Sequence, residues 1–386
     1  MTTVASAYDH LRTKELEGSR IPDFVLGALL PIPMVVGPFS VNMYALMGCL
    51  ALATLRKPPA GDRLPWWYPT ILVVMSGWMA LSMLYNGLRT YQELGYFSLW
   101  ALTTLVIATG RLDRLSLSRG VGVGVVLGCL AGLASYYLDI GDNNYPGRLT
   151  GYIWPDPNQA GYFISVMGAI ALVGVRSGWP RRLLLALLTL CLVLTWSRTS
   201  IMAMSVGAVW FAVRRRASPT MSVAIVALAA YLFQDWLDRL KSWGPFAERA
   251  GSDALRQRID AAAQQLVDMH PWIGRGPGTA QVKVQERLFY FHNAYLAVRN
   301  NGGWVLLGLL LVLLALVIMW MLRLPPADHH PWHEAALIAL LICATGLGEA
   351  FLRAPGAVAV GLAMRHAINP RELVRGIGEK STDRVF

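Results

Sequence analysis

Apolar runs close to 20 residues recur from one end of this chain to the other, with few charges inside them. That is the length an α-helix needs to cross a hydrocarbon core about 30 Å thick. Of the 386 residues, 55% are hydrophobic and only 15% charged, and the mean hydropathy is +0.44. Average proteins carry about 25% charged residues. No stretch of roughly 100 residues, the usual domain size, reads as a soluble domain. The sequence therefore predicts an all-α integral membrane protein, one polytopic domain over residues 1–386.

Apolar runs and their breakers predict about twelve transmembrane helices, near 22–38, 41–55, 67–87, 94–110, 120–138, 160–176, 183–197, 199–213, 219–235, 302–322, 334–351 and 354–369. The seventh and eighth are split only by Ser197-Arg198-Thr199, which reads as a tight hairpin with a charged tip. Alternate loops hold Arg56, Lys57 and Arg63; Arg111, Arg114 and Arg119; Arg176, Arg181 and Arg182; Arg214, Arg215 and Arg216; and Arg323. The tail adds Arg365, Arg371, Arg375, Lys380 and Arg384. Because Lys and Arg accumulate in cytoplasmic loops, this places both termini in the cytoplasm of an inner-membrane protein. It also accounts for the net charge of +11 (34 basic against 23 acidic residues) without nucleic acid. Cys49, Cys129, Cys191 and Cys343 all lie in apolar runs, without metal or disulfide spacing, and read as packing residues. The N-terminal stretch lacks the apolar core of a signal peptide, so the first helix is expected to direct insertion.

Two outer loops are substantial, at 139–159 and 236–291. In the second, Leu255, Ile259, Ala262, Leu266 and Met269 recur at helical spacing after Ser252, a candidate N-cap. This predicts an amphipathic helix on the outer membrane surface or across the bundle mouth. Pro271 ends it, and the turn-rich segment "PWIGRGPG" follows.

Four groups of residues can carry chemistry. Arg198, at the hairpin tip, is either an interfacial arginine whose head reaches water or a clamp for an anion such as a diphosphate. Arg256 and Arg258 lie about 160° apart on the loop helix at 100° per residue, so one regular helix does not aim both at one phosphate. Spacing alone favours a solvated helix face over a phosphate contact for both residues, with Asp260 pairing Arg256. His292 and Asn293 stand where the loop returns into the bundle. A histidine there is either structural or a proton acceptor. Arg148, Trp154, Asp156 and Asn158 form a loop suited to holding sugar rings, or a plain loop rich in Pro and Gly. His329, His330 and His333 lack the ligands that would complete a metal site. Neither a nucleotide-binding glycine loop nor an acidic metal motif is discernible, so any enzyme here is expected to need no metal or cofactor.

The segments "GRLTGYIWPDPNQAG", "LTWSRTSIMAM", Arg256 to "HPWIGRGPG", and "HNAYLAVRNNGGW" follow in order through residues 147–308. Together they resemble the O-antigen ligase and O-antigen polymerase superfamily. The resemblance implies a membrane-embedded glycosyltransferase architecture of the GT-C kind, with the active site facing outward. It implies an undecaprenyl-diphosphate-linked glycan donor, and a saccharide acceptor that is a lipid-linked repeat unit or a lipid A core. Carried over by residue, Arg198 would contact the diphosphate, Arg256 would be the loop-helix arginine with Arg258 as alternative, and His292 would activate the acceptor hydroxyl. Gly303 matches the first glycine of a late family motif, while Leu306 replaces the second, and Asp260 stands where an aromatic is common. Polymerase and ligase differ in the acceptor, with polymerase slightly favoured here. A multi-helix transporter or exporter of lipid-linked glycan is the alternative, although the two halves of the chain are dissimilar. A non-catalytic scaffold is a third reading.

Overall fold

The computed structural model describes residues 21–59, 62–138, 145–175, 177–214, 216–239, 250–325 and 328–370. The N-terminal stretch, Arg176, Arg215 and the tail arginines beyond 370 lie outside the described residues. The architecture is almost entirely helical. Residues 21–29 form α1, followed by α2 (Val41–Thr54), α3 (Trp67–Tyr85), α4 (Tyr91–Ala108), α5 (Arg114–Leu138) and α6 (Pro157–Gly174). Next come α7 (Trp179–Thr195), α8 (Arg198–Val213), α9 (Pro219–Arg239), α10 (Ala250–Asp268), α11 (Ala294–Leu322), α12 (Pro331–Cys343) and α13 (Ala354–Ile368). Two small antiparallel hairpins interrupt them: β1 (Val35–Val36) with β2 (Phe39–Ser40), and β3 (Gln281–Val284) with β4 (Arg287–Tyr290).

A helix lies over each of the twelve expected apolar segments. By length and composition, α3, α5, residues Pro219–Leu237 of α9, and α11 are able to cross a membrane, while α2, α8 and α12 are shorter apolar helices. Large apolar side chains such as Val73, Leu84, Leu127, Leu183, Leu228 and Tyr231 face outward. Polar and charged ones such as Arg114, Arg214, Glu334 and Arg365 are buried inside. This inversion suits a lipid surround, where an apolar exterior costs nothing and interior charges survive by pairing. Arg56 pairs with Asp23 at 2.6 Å, Arg365 with Asp62 at 2.8 Å and His329 with Glu334 at 2.7 Å. These pairs gather at one end of the bundle the loops that the arginine alternation grouped together. The four cysteines are buried and free, as expected of packing residues.

Three boundaries differ most from the sequence reading. The span expected over 22–38 stops being helical at residue 29, because Pro31 and Pro33 cannot supply helix N–H groups and the chain turns into the β1–β2 hairpin. The span expected over 334–351 ends at Cys343, and residues 344–353 form a series of turns. The span expected to start at 302 starts instead at Ala294, and is broken inside at Gly302 and Gly303.

That break is where the loop segment is threaded. Interrupting a helix strips carbonyls of their partners, and buried ones must find others. Here the N–H of Arg275 donates to the Asn300 carbonyl at 2.6 Å, and Trp78 Nε1 donates to the Gly302 carbonyl at 2.7 Å. The Ser82 hydroxyl lies within 2.8 Å of the Asn301 carbonyl and 2.7 Å of the Ile273 carbonyl. Trp304 N–H donates to Pro271 at 2.7 Å. "PWIGRGPG" is thus built into the bundle as a replacement for one turn of helix.

Candidate active site

Five segments meet at the end of the bundle opposite the ion-paired loops. The first is the loop that leads into α6. Its Asp156 caps that helix, accepting from the N–H groups of Asn158 and Gln159 at 2.8 and 2.9 Å, with Pro157 preset at the first helical position. The second is the α7–α8 hairpin, closed as expected around Ser197-Arg198-Thr199. Trp196 adopts the left-handed conformation, φ 51°, which ends α7 so that α8 can start at Arg198. Arg148 joins these two segments: its Nε donates to the Thr195 carbonyl at 2.9 Å and its Nη2 reaches Asn158 Oδ1 at 3.4 Å. Leu149 N–H adds a bond to the Leu194 carbonyl at 2.7 Å.

The third segment is α10. Its apolar stripe is Ile259, Ala263 and Val267, buried against Val282, Phe291 and Ala297. Leu255, Ala262 and Leu266 flank it as expected, but Met269 lies past the helix end and is 64% exposed. Ser252 lies within the helix rather than capping it. At the far end Asp268 pairs with Arg299 at 2.6 Å, and the Arg299 guanidinium sits 4.0 Å over the Trp304 ring. This docking orients the two loop arginines differently: Arg256 is half-buried, whereas Arg258 is exposed.

The fourth segment is the return of the loop through Phe291, His292 and Asn293. Asn293 caps α11, its Oδ1 accepting from Tyr295 and Leu296 N–H at 2.9 and 3.2 Å. The fifth is the turn 344–353, which the sequence reading absorbed into a helix. Ala294 N–H donates to the Ala344 carbonyl at 2.8 Å, and the Tyr162 hydroxyl donates to the Ala350 carbonyl at 2.5 Å. A β-carbon on Gly348 would lie 1.8 Å from the Phe291 carbonyl oxygen, and one on Gly346 would lie 2.7 Å from Thr199 Oγ1. The turn therefore wedges between the hairpin tip and the His292 segment. The one trace of it in the sequence is that Gly346, Gly348, Glu349 and Arg353 interrupt an otherwise apolar run.

The electrostatics tie the segments together. Burial, with Arg256 adding to it, holds His292 below the ordinary imidazole range, and Asp156 opposes the shift. Burial pulls Arg148 down to about 10; Asp156 and Tyr145 oppose this, and Arg256 reinforces it. Arg256 is thus the common neighbour of His292 and Arg148. Arg198 is half-buried at the start of α8, on the tip that Arg148 and the 344–353 turn hold in place. A cavity of about 390 Å³ opens beside His292, lined also by Asp156, Gln159, Tyr290 and the Glu349–Arg353 ion pair. Among the described residues, no group of three or more His, Cys, Asp or Glu is placed to hold a metal ion.

Of the expected site residues, His292 and Asp156 line this cavity, whereas Arg148, Asn158, Arg198, Arg256, Arg258 and Asn293 do not, and Trp154 is buried away from it. Trp154 is 1% exposed, stacked on Phe163 with its Nε1 donating to the Pro31 carbonyl at 2.9 Å. It fills the core between α5 and α6 and presents no face to a sugar ring. Asn158 and Asn293 stand at the site, but their side-chain oxygens are engaged within the protein, to Arg148 and as the α11 cap respectively.

The fold is that of a helical, membrane-compatible protein, with a candidate site that brings His292 and Arg256 together between its loops. Residues 183–311, roughly a third of the chain, match the family model described as O-antigen ligase. That match is to the superfamily that the resemblance led us to expect. The match includes Arg198, Arg256, Arg258, His292 and Asn293 and leaves Arg148, Trp154 and Asn158 outside it. No curated protein gives a significant sequence match to the chain.

Proposed function

We propose that this protein is a membrane glycosyltransferase of the GT-C kind, spanning the bacterial inner membrane about twelve times with both termini in the cytoplasm. In this reading it takes a glycan from an undecaprenyl-diphosphate-linked donor and transfers or polymerises it onto an acceptor hydroxyl on the outer face. The supporting observation is the position of Arg256, whose charge acts on both Arg148 and His292. Neighbouring cations repel one another, and a diphosphate among them would relieve that repulsion with charge-assisted hydrogen bonds. The arginine alternation puts this end of the bundle outside.

In the proposed step the acceptor oxygen forms a bond to the anomeric carbon of the donor's first sugar. The bond from that carbon to the diphosphate oxygen breaks, and its electron pair leaves with undecaprenyl diphosphate. Negative charge grows on the leaving group, where Arg198 and Arg256 would stabilise it as it develops. His292, kept neutral by its surroundings, would take the acceptor's hydroxyl proton. The transfer needs no metal in this scheme.

The test uses purified protein in nanodiscs with undecaprenyl-diphosphate-linked oligosaccharide, following release of undecaprenyl diphosphate and glycan mass. Release with chain growth is expected, and loss of about 10²–10³ in rate in Arg198→Ala, as for other electrostatic donors. His292→Ala should also abolish growth. Release only with a lipid A core acceptor would identify a ligase. No release from folded protein with any acceptor would sink the transferase reading and favour a carrier.

A further inference from the structure

The exterior of α9 sets it apart from the other long helices. Of its membrane-crossing stretch 11% is buried, against 33% to 44% in α3, α5 and α11. Met221, Leu228, Tyr231 and Leu232 are each more than half exposed, and the helix packs chiefly against α8. Its Val223, Ala227 and Ala230 recur at helical spacing, but they border an open groove of about 270 Å³. The opposite walls are the end of α11, at Leu322, and the start of α12, at Leu337. Glu334 also lines the groove, and every other lining residue is hydrophobic. The Glu334 carboxylate is engaged within the protein, accepting from Trp210 Nε1 at 2.5 Å, 2.7 Å from His329 Nδ1 and 3.5 Å from Arg214 Nε.

The groove ends near the loops on the ion-paired side of the bundle. Arg323 follows Leu322 directly, and Arg216 lies on the short link between α8 and α9. Both are exposed. Among the described residues neither meets a carboxylate: Arg216 donates to the Ala212 carbonyl at 3.0 Å and Arg323 to the Met319 sulfur at 3.5 Å. Residues 214–218 and 323–330 hold four arginines against one acid, Asp328.

An α-helix, about 10–12 Å across with its side chains, is too wide for a slot of this volume, and apolar walls give water no partners. A single hydrocarbon chain fits, and it restores the dispersion contacts that an empty slot would forfeit. Inside a bilayer the chain itself confers little preference, since lipid tails are as apolar as leucine. Selectivity therefore falls to the head group. Guanidinium groups bind phosphate oxygens with paired, charge-assisted hydrogen bonds, and basic pockets between membrane helices take anionic lipid heads for this reason.

We propose that this groove is a site for an anionic phospholipid of the leaflet beside these loops, with one acyl chain between α9 and α12 and the phosphate on Arg216 and Arg323. The lipid supplies the packing partner that this face of α9 lacks. The inference does not depend on glycan transfer, and only the naming of that leaflet as the inner one rests on the proposed topology.

The experiment places the full-length protein in phosphatidylethanolamine nanodiscs with a minor fraction of phosphatidylglycerol carrying a diazirine in one chain. After illumination, adducts mapped by mass spectrometry are expected on residues 223–230 and 337–342. Each arginine near the surface is worth about a fivefold preference for an anionic lipid. Native mass spectra should therefore retain phosphatidylglycerol at least about fivefold more than phosphatidylethanolamine of the same chains. The pair Arg216→Gln and Arg323→Gln should remove that preference, whereas Arg216→Lys and Arg323→Lys should keep most of it. Ala227→Phe, which fills the groove, should abolish the adducts with both arginines in place. If it fails to fold, displacement of the wild-type adducts by unlabelled phosphatidylglycerol gives the same reading. Adducts scattered around all the helices, equal retention of the two lipids, or displacement by undecaprenyl phosphate but not by phosphatidylglycerol would overturn the assignment. The last result would give the groove to an isoprenoid. The leaflet is read separately: Arg323→Cys should react with a membrane-impermeant maleimide in inverted vesicles and not in spheroplasts. The reverse would overturn the topology and leave the lipid site standing.

Discussion

The carbonyl oxygen of Trp272 stands 2.0 Å from where a β-carbon on Gly303 would be, and Gly303 holds φ at +67°. Both facts come from one event, the threading of the loop segment across the broken helix α11. Gly303→Ala is expected to destabilise the protein by at least the roughly 1–3 kcal/mol of a strained backbone position, with the clash added to it. A lowered unfolding temperature in detergent, together with loss of transfer activity, would be the expected result. Wild-type stability in this variant would show that the segment is not locked there.

Arg256 and Arg258 separate by burial. Arg256→Gln should lower the transfer rate about 10²–10³-fold. Arg258→Gln, on the exposed side of α10, should leave it within about threefold, since exposed charges are screened and contribute little. Equal losses in both would mean that α10 shifts when donor is bound.

The pH dependence follows from the neighbours of His292. Its acid form is disfavoured by burial first and Arg256 second, and favoured by Asp156. As a base it works when neutral, so the acid limb of kcat/KM should fall below the ordinary histidine value near 6.5. Removing the Arg256 charge removes a contribution that lowers the pKa, so the residual activity of Arg256→Gln should show its acid limb at higher pH. Asp156→Asn keeps a capping residue at α6 but removes a contribution that raises the pKa, so its limb should move to lower pH. Movement of both limbs in the same direction would contradict the arrangement.

Asn293 caps α11, and that role can be told apart from substrate contact. Asn293→Ala should cost about 1 kcal/mol of stability, as loss of a capping side chain does. Asn293→Ser restores a capping oxygen and should recover stability and activity together. If serine restored stability but not turnover, Asn293 would be touching substrate as well.

Much of this protein was determined by local patterns in its sequence. Length and hydrophobicity settle a membrane helix without reference to any partner, because the backbone hydrogen bonds of such a segment are internal to it. Hence the helices over the expected segments, the hairpin closed at Ser197–Thr199, and the stop at Pro271 were all legible. What failed depended on other segments. Gly302 and Gly303 break α11 because Trp78, Ser82 and Arg275, far apart in sequence, satisfy the freed carbonyls. Residues 344–353 leave the helix because Tyr162 and Ala294 bind their backbone. Trp154 reads as a surface aromatic beside Pro and Asp, yet a hydrogen bond to Pro31 and stacking on Phe163 place it in the core. Arg256 and Arg258 lie about 160° apart on a helical wheel, and only the docking of α10 through Ile259, Ala263 and Val267 decides which one turns inward. Periodicity gives a helix its faces, but which face meets which neighbour is a property of the packed bundle. It was the tertiary structure that gathered the site from five segments.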